Sequence, residues 1–329
     1  MGDTQSATSA PAGTTSTEQD GSQRTPTALT IAGSDPSGGA GIQADLKTFA
    51  AHGVYGASII VALTAQNTRG VTAIHEVPAA FIASQFAALF DDLNVRAAKT
   101  GMLGTRAIIA AVDEGLMHPA ATGLALVVDP VMVATSGDPL LAPDAEAALK
   151  QVIIPRAHLL TPNLNEALRL VGRSAPPQTL CELIDLAREV GDLGAVSVLL
   201  KGGHVTGTFD DNLTAMTDAA DVAVDTITPS PEAVPVDGLA IDLLVSGGTL
   251  RAITGPRYRT RHTHGTGCTL SAAIVAALCV GHALPTACII ARQFVSDGIA
   301  LGARMRVGHG NGPLDHAGAG RAMAALSGV

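Results

Sequence analysis

Tryptophan is absent from this 329-residue chain, and aromatic residues make up only 2% of it. That scarcity excludes the stacking platforms on which single-stranded nucleic acids are bound. Basic residues are in deficit as well: the formal net charge is −9, so there is no basic footprint for nucleic acid or for an anionic membrane surface. Any phosphate site has to be local, built from backbone amides and a few cations. The four cysteines, at 181, 268, 279 and 288, contain no CxxC pair. They form neither a disulfide framework nor a zinc signature, which points to a reduced, cytoplasmic setting. No uninterrupted apolar run is long enough to span a bilayer: the stretch 269–291 is broken by Gly281-His282 and Pro285 and reads as two buried helices. Residues 1–27, rich in Ser, Thr, Gly, Ala and Gln, lack an apolar segment and read as a disordered tail rather than a signal peptide.

What the chain does have is apolar bulk. Hydrophobic residues reach 47% while charged ones stop at 15%, against roughly 25% in ordinary soluble domains. Alanine and glycine fill the gap, and the length is ample for a large core. Short apolar runs at 28–32, 58–63, 71–77, 97–101, 124–128, 158–160 and 196–200 read as strands. Between them, helical periodicity falls at 41–52, 78–91, 105–116, 143–152, 163–171 and 180–190. This alternation predicts an α/β fold whose parallel sheet is covered on both faces. The rhythm breaks at about 205–262, where 213–216, 241–245 and 250–253 read as antiparallel strands around the turn Ser246-Gly247-Gly248 and 229–237 as a proline-rich surface loop. Helices at about 267–280 and 285–305 follow. With no linker and no repeat, residues 28–329 read as one domain.

Several motifs sit where such strands end. Gly33-Ser34-Asp35-Pro36-Ser37-Gly38-Gly39-Ala40-Gly41 lies between the first strand and first helix, on the edge where ligands bind. It lacks a Walker lysine, and no acid ends the second strand to support its loose GxGxxA match. Asp45, one turn into the helix, reads either as a partner for a ligand hydroxyl or as a solvated surface carboxylate. Gln66 carries an amide able to match an aminopyrimidine edge. Asn163 and Glu166 share a helix face and read equally as holders of hydrated Mg²⁺ or as a capping box. Lys201 can neutralise phosphate, and Asp129 can sit near a metal or cap a loop.

The most specific run is His262-Thr263-His264-Gly265-Thr266-Gly267-Cys268, poured into an apolar helix. Glycines at a helix mouth leave amides bare for an anion. Cys268, at the positive end of that helix, is expected to have a lowered pKa and to act as a base or a nucleophile, or else simply to pack. His264 is the candidate base for a nucleophilic Cys268.

Taken together, 28–49, Ala65-Gln66-Asn67-Thr68-Arg69-Gly70-Val71, Lys99-Thr100-Gly101-Met102-Leu103, Thr161-Pro162-Asn163-Leu164, Lys201-Gly202-Gly203-His204, 263–273 and Val307–Leu314 closely resemble the bacterial hydroxymethylpyrimidine/phosphomethylpyrimidine kinases of thiamine synthesis. The resemblance implies a ribokinase-like three-layer α/β/α fold with a central, mainly parallel sheet, usually a homodimer. It implies ATP- and Mg²⁺-dependent phosphorylation of 4-amino-5-hydroxymethyl-2-methylpyrimidine and then of its monophosphate. Gly33, Asp45, Gln66 and Met102 would line the pyrimidine pocket, Gly265, Thr266 and Gly267 would form the anion hole, and Cys268 would take the catalytic position. Asn163 and Glu166 would organise Mg²⁺ and the nucleotide phosphates, with Lys201 near them. The stretch 218–244 is longer than the resemblance implies, and Thr100 stands where a larger aliphatic residue is expected. A pyridoxal or pyridoxine kinase and a non-catalytic pyrimidine sensor on the same fold are the alternatives.

Overall fold

A computed structural model describes residues 25–134, 136–202, 222–228 and 235–327. Most of the N-terminal tail, the strand expected at 213–216, Gly203-His204 and residues 229–234 of the expected loop lie outside the described residues. The chain runs β1 (Thr27–Ser34), α1 (Gly41–Ala51), β2 (Tyr55–Asn67), β3 (Gly70–Glu76), α2 (Ala79–Phe90), β4 (Val95–Thr100), α3 (Arg106–Leu116), β5 (Ala125–Val128), α4 (Pro143–Ala148), β6 (Leu159–Leu160), α5 (Leu164–Val171), α6 (Leu180–Gly191), β7 (Ser197–Gly202), β8 (Val222–Thr226), β9 (Pro235–Ser246), β10 (Thr249–Tyr258), α7 (Thr266–Cys279), α8 (Leu284–Gly302) and α9 (His316–Ser327).

All ten strands join one sheet in the order β3-β2-β1-β4-β5-β6-β7-β9-β10-β8. From β2 through β7 the pairing is parallel, with Ile31 set beside both Ile59 and Thr100, and Val128 beside Leu160. The carboxyl ends of these strands therefore share one edge. β2 is the exception in length. Its register puts Leu63 beside Ser34, so Thr64–Asn67 project past the end of β1 and turn back as an antiparallel hairpin with β3.

Within 218–244, the described residues 222–226 and 235–244 are strand, where the prolines suggest a loop. β8 pairs in parallel with β10, and β9 is antiparallel to both β7 and β10. Pro235 is tolerated because it opens its strand, where a missing N–H costs no ladder bond. The apolar run Leu239–Val245 then has β7 as a partner, with Leu243 beside Leu200.

Successive residues of the buried strands serve opposite faces. Val128, Ile31 and Ile59 pack with Ile82, Phe86, Ile109 and Leu183 from α2, α3 and α6. Val127, Ala28 and Leu199 pack with Phe49, Ile274 and Phe294 from α1, α7 and α8. That second layer is built largely from Ala272, Ala273, Ala276, Ala277, Ala287 and Ala291, all fully or almost fully buried. Small side chains bring α7 and α8 close to each other and to the sheet, which accounts for the alanine-rich composition. Among the described residues no helix is long and apolar enough to cross a membrane.

Candidate active site

The first glycine-rich loop folds around its own carboxylate. Asp35, buried, accepts from the Ser37 amide at 2.8 Å, the Ser37 hydroxyl at 2.7 Å and the Ala40 amide at 2.9 Å. Burial opposes its charge, but these bonds and His264 outweigh it and hold the pKa down to about 2. His264 Nε2 meets Asp35 Oδ2 at 2.8 Å, tying this loop to the run that opens α7. At the same junction Gly265 has φ +82°, and a Cβ there would stand 1.9 Å from the Gly39 carbonyl. Only glycine fits.

Gly265 is the N-cap of α7, and no side chain caps that helix. The Thr266 amide donates to the Thr263 carbonyl at 3.3 Å, and the amides of Gly267 and Cys268 that follow remain available to an anion. What faces them is charged. A Cβ on Gly267 would stand 3.4 Å from Asp129 Oδ2 and 3.4 Å from Lys201 Nζ. Lys201 Nζ lies 2.9 Å from Asp129 Oδ1 and 3.9 Å from Glu166 Oε2. These groups come from neighbouring strand ends: Asp129 follows β5, Glu166 opens α5 after β6, and Lys201 is in β7.

Burial pushes the Glu166 carboxyl up to about 7, with Lys201 opposing and the negative charge of Asp129 reinforcing. Lys201 stays charged: burial works against it, but Asp129 and Glu166 prevail. Asn163 and Glu166 form the complete capping box, with Asn163 Oδ1 accepting from the Glu166 amide at 2.9 Å and Glu166 Oε2 accepting from the Asn163 amide at 2.8 Å.

Beneath this floor lies a pair that motif reading did not identify. Lys99 Nζ and Asp45 Oδ1 are 2.9 Å apart with both side chains 0% exposed. Asp45 Oδ2 also accepts from the Thr30 hydroxyl at 2.6 Å. Asp45 is thus no solvated surface carboxylate, and both of its oxygens are taken within the protein. Burial works against the Lys99 charge, but Asp45, Cys268 and Asp129 hold it protonated. One signal was present in the sequence: a lone lysine in an otherwise apolar buried strand needs a carboxylate partner.

Cys268 corrects an expectation. Its position at a helix N-terminus predicted a lowered pKa, yet burial dominates and pushes the thiol up to about 11, against the pull of Lys99 and a bond from the Gly41 amide. The thiol is neutral at neutral pH. His264, the candidate base for a cysteine nucleophile, spends its Nε2 on Asp35 instead. The geometry does not support that reading.

Gly33 and Met102 meet at the end of β1, where a Cβ on Gly33 would lie 2.8 Å from Met102 Cε. Gln66 stands on the projecting hairpin, its Oε1 3.1 Å from the Thr64 hydroxyl, which itself lies 2.8 Å from the Ser34 carbonyl. The turn of that hairpin is gripped by the 308–311 segment. The Asn311 and Gly310 amides donate to the Thr68 carbonyl and hydroxyl at 2.8 and 3.1 Å. Gly33, Gln66 and Met102 thus share one end of the β2–β1–β4 edge, while Gly265–Cys268, Asp129, Glu166 and Lys201 share the adjoining stretch.

The phosphomethylpyrimidine kinase family model matches residues 35–315. A hydroxymethylpyrimidine/phosphomethylpyrimidine kinase of Rhizobium meliloti is 45% identical over 289 residues, covering 88% of this chain and 96% of that protein. Among solved structures, a Bacillus subtilis pyridoxal kinase in complex with ADP superposes with a TM-score of 0.73 at 31% identity, covering 89% of this chain and 98% of that one. A phosphomethylpyrimidine kinase of Clostridium difficile gives 0.64 at 36% identity, covering 83% and 99%.

Proposed function

The chain belongs to the phosphomethylpyrimidine kinase family and has its ribokinase-like fold, and from that premise we propose that it phosphorylates 4-amino-5-hydroxymethyl-2-methylpyrimidine and then the monophosphate, using ATP and Mg²⁺, in thiamine synthesis. The observation that carries this reading is the uncapped start of α7 set against Lys201 and Asp129. Phosphoryl transfer is catalysed mainly by positioning and charge neutralisation, and this edge offers both.

In this reading the amides of Gly265, Gly267 and Cys268 receive the transferring phosphoryl group, Thr266 holds the turn through its bond to the Thr263 carbonyl, and Lys201 neutralises the charge. The pyrimidine ring lies between Gly33 and Met102, with the Gln66 amide matching its aminopyrimidine edge. Asp45 acts from below, fixing Lys99 under the floor of the pocket rather than touching the ring.

Asp129 and Glu166 suit a hydrated Mg²⁺. Two buried carboxylates share one ammonium, and a second cation would relieve the repulsion that helps push Glu166 up to about 7. Among the described residues no cluster of three His, Cys, Asp or Glu could hold a metal, so phosphates and water complete the shell. Asn163, its side-chain oxygen spent on the cap, positions Glu166. When bound, Mg²⁺ neutralises charge on the phosphates.

Cys268 takes the base position, accepting the hydroxymethyl proton as thiolate. A thiol at about 11 leaves roughly one part in 10⁴ ionised at pH 7, so the rate on this path rises with pH. A homodimer through the β2–β3 edge fits the exposure of Leu63 and Ile74 there; light scattering tests it. Four free cysteines fit a reducing cytoplasm.

The test is to incubate the protein with Mg·ATP and the pyrimidine alcohol and resolve products by mass. Mono- and diphosphate together are expected. No phosphorylated pyrimidine would overturn the reading. The second reading, a vitamin B6 kinase, draws on the likeness to the B. subtilis pyridoxal kinase. A higher kcat/KM for pyridoxal than for the pyrimidine would favour it.

A further inference from the structure

A cavity of about 800 Å³ lies outside the catalytic edge, and its lining includes none of the residues proposed for the kinase reaction. It is walled by Arg261, His262, Arg304, Arg306, His309 and the glycines of 308–310. This volume falls in the range of small-molecule sites, about 300–1,000 Å³.

The charge around it is unlike the rest of the chain. Overall the protein is acidic, with a net charge of −9. Between residues 243 and 314 it carries a single carboxylate, Asp297, against seven arginines. Asp297 lines a different cavity. Among the described residues neither Arg261 nor Arg306 is held in an ion pair, and the buried Nδ1 of His262 has no hydrogen-bond partner. The wall also carries glycines that grip the hairpin turn: a Cβ on Gly310 would stand 1.9 Å from the Thr68 carbonyl. The backbone that positions these arginines is therefore anchored, not a free loop.

We propose that this cavity is a second anion site that binds a diphosphate-bearing small molecule. Two guanidinium forks without an ion-pair partner among the described residues, Arg261 from one segment and Arg306 from another, match two linked phosphates better than one. Its volume exceeds what a bare diphosphate fills, leaving room for an organic group of pyrimidine size. The inference does not rest on the kinase reading, since its residues and its test are separate from that site.

The experiment is calorimetric titration of the full chain with inorganic pyrophosphate, in the presence of a saturating non-hydrolysable ATP analogue that occupies the catalytic edge. Pyrophosphate is expected to bind under these conditions, with inorganic phosphate at least about tenfold weaker. The Arg261→Ala/Arg306→Ala double variant is expected to lose pyrophosphate affinity by about tenfold or more. Both side chains are exposed, so folding is preserved, and an unchanged melting temperature verifies it. Arg306→Glu alone should weaken binding too. No binding beside the ATP analogue, equal affinity for phosphate, or full affinity in the double variant would each overturn the proposal. The pyrimidine diphosphate titrated in parallel separates the sources: tighter binding than pyrophosphate shows that the organic group is read, and equal binding shows that the diphosphate alone is.

Discussion

Cys268 illustrates two local effects of opposite sign. A helix N-terminus favours a thiolate by about 0.3–1 kcal/mol, at most about 2. Burial moves the thiol from 9.0 to about 11, roughly 3 kcal/mol against ionisation. The larger effect wins, and it is invisible in a linear sequence because it depends on what covers the sulfur. Cys268→Ser should keep the α7 amides and lower kcat by about 10²- to 10⁴-fold. Its partner measurement is the pH profile: wild-type log kcat should climb about one unit per pH unit from 7 to 9 as the thiolate forms, and the serine variant should lose that slope. A flat wild-type profile would remove the base role.

Lys99 and Asp45 make the complementary case. Their positions stand 54 residues apart, and nothing in either local pattern names the other. Only the parallel register that sets β4 beside β1, over α1, brings them together. Lys99→Met leaves Asp45 buried without its cation, and should cost about 3–5 kcal/mol in denaturant unfolding. Asp45→Asn/Lys99→Met should recover part of that loss. A single-variant cost under about 1 kcal/mol would mean that the pair is hydrated.

Among the elements, the start of α7 admits a sharp separation of stability from function. An acidic residue in a first helical turn is favourable to the helix, and a Cβ at Gly267 would stand in ordinary contact, 3.4 Å from both Lys201 Nζ and Asp129 Oδ2, so that the cation offsets the repulsion from the second carboxylate. Gly267→Asp should therefore melt near the wild-type temperature while losing about 10²-fold or more in kcat/KM, because it puts negative charge where phosphate is proposed to sit. The β2–β3 hairpin offers a second test. Gly310→Ala collides with the Thr68 carbonyl, and freeing the hairpin that carries Gln66 should raise the pyrimidine KM roughly tenfold, with the ATP KM little changed.

The same elements mark how far the sequence could be read. The strands β1, β4, β5 and β7 were legible because they are short apolar runs bounded by helices. The strand character of β9 near Pro235 was hidden, because a proline at a strand opening looks the same as a proline in a loop. The candidate site was legible as separate strand-end motifs. Their meeting, and the hidden bridges Asp35–His264 and Lys99–Asp45, required the register of the sheet.

Across the molecule, the alanine-rich layer binds α9 to the rest through a titratable group. His316, buried on α9, lies with its Nε2 2.9 Å from the Thr269 hydroxyl of α7. Burial, with Lys47 adding, lowers its pKa from 6.5 to about 4. A depressed histidine is neutral in the fold but takes up a proton once unfolded. Its contribution is therefore complete above pH 6.5 and is lost as pH falls toward 4, by up to about 3 kcal/mol. Glu166 runs the other way, since its raised pKa favours the fold as pH falls from about 7 toward 4.5. Denaturant midpoints for the wild type and His316→Asn between pH 7 and 4 should diverge most at neutral pH and converge on acidification. Parallel curves would deny His316 the role.

The bridge between Asp35 and His264 spans 229 positions. Its consequence concerns the order in which the protein is made. The first loop leaves the ribosome early, but the histidine that locks it arrives only after nearly all of the sheet, and the grip on Thr68 later still. Contacts of such span close slowly. A nascent chain halted before residue 264 should already protect β1, β4 and β5 from proteolysis yet fail to retain nucleotide. Competence for ligand would then appear in one late step, when the last fifth of the chain folds back over its first strands and loops.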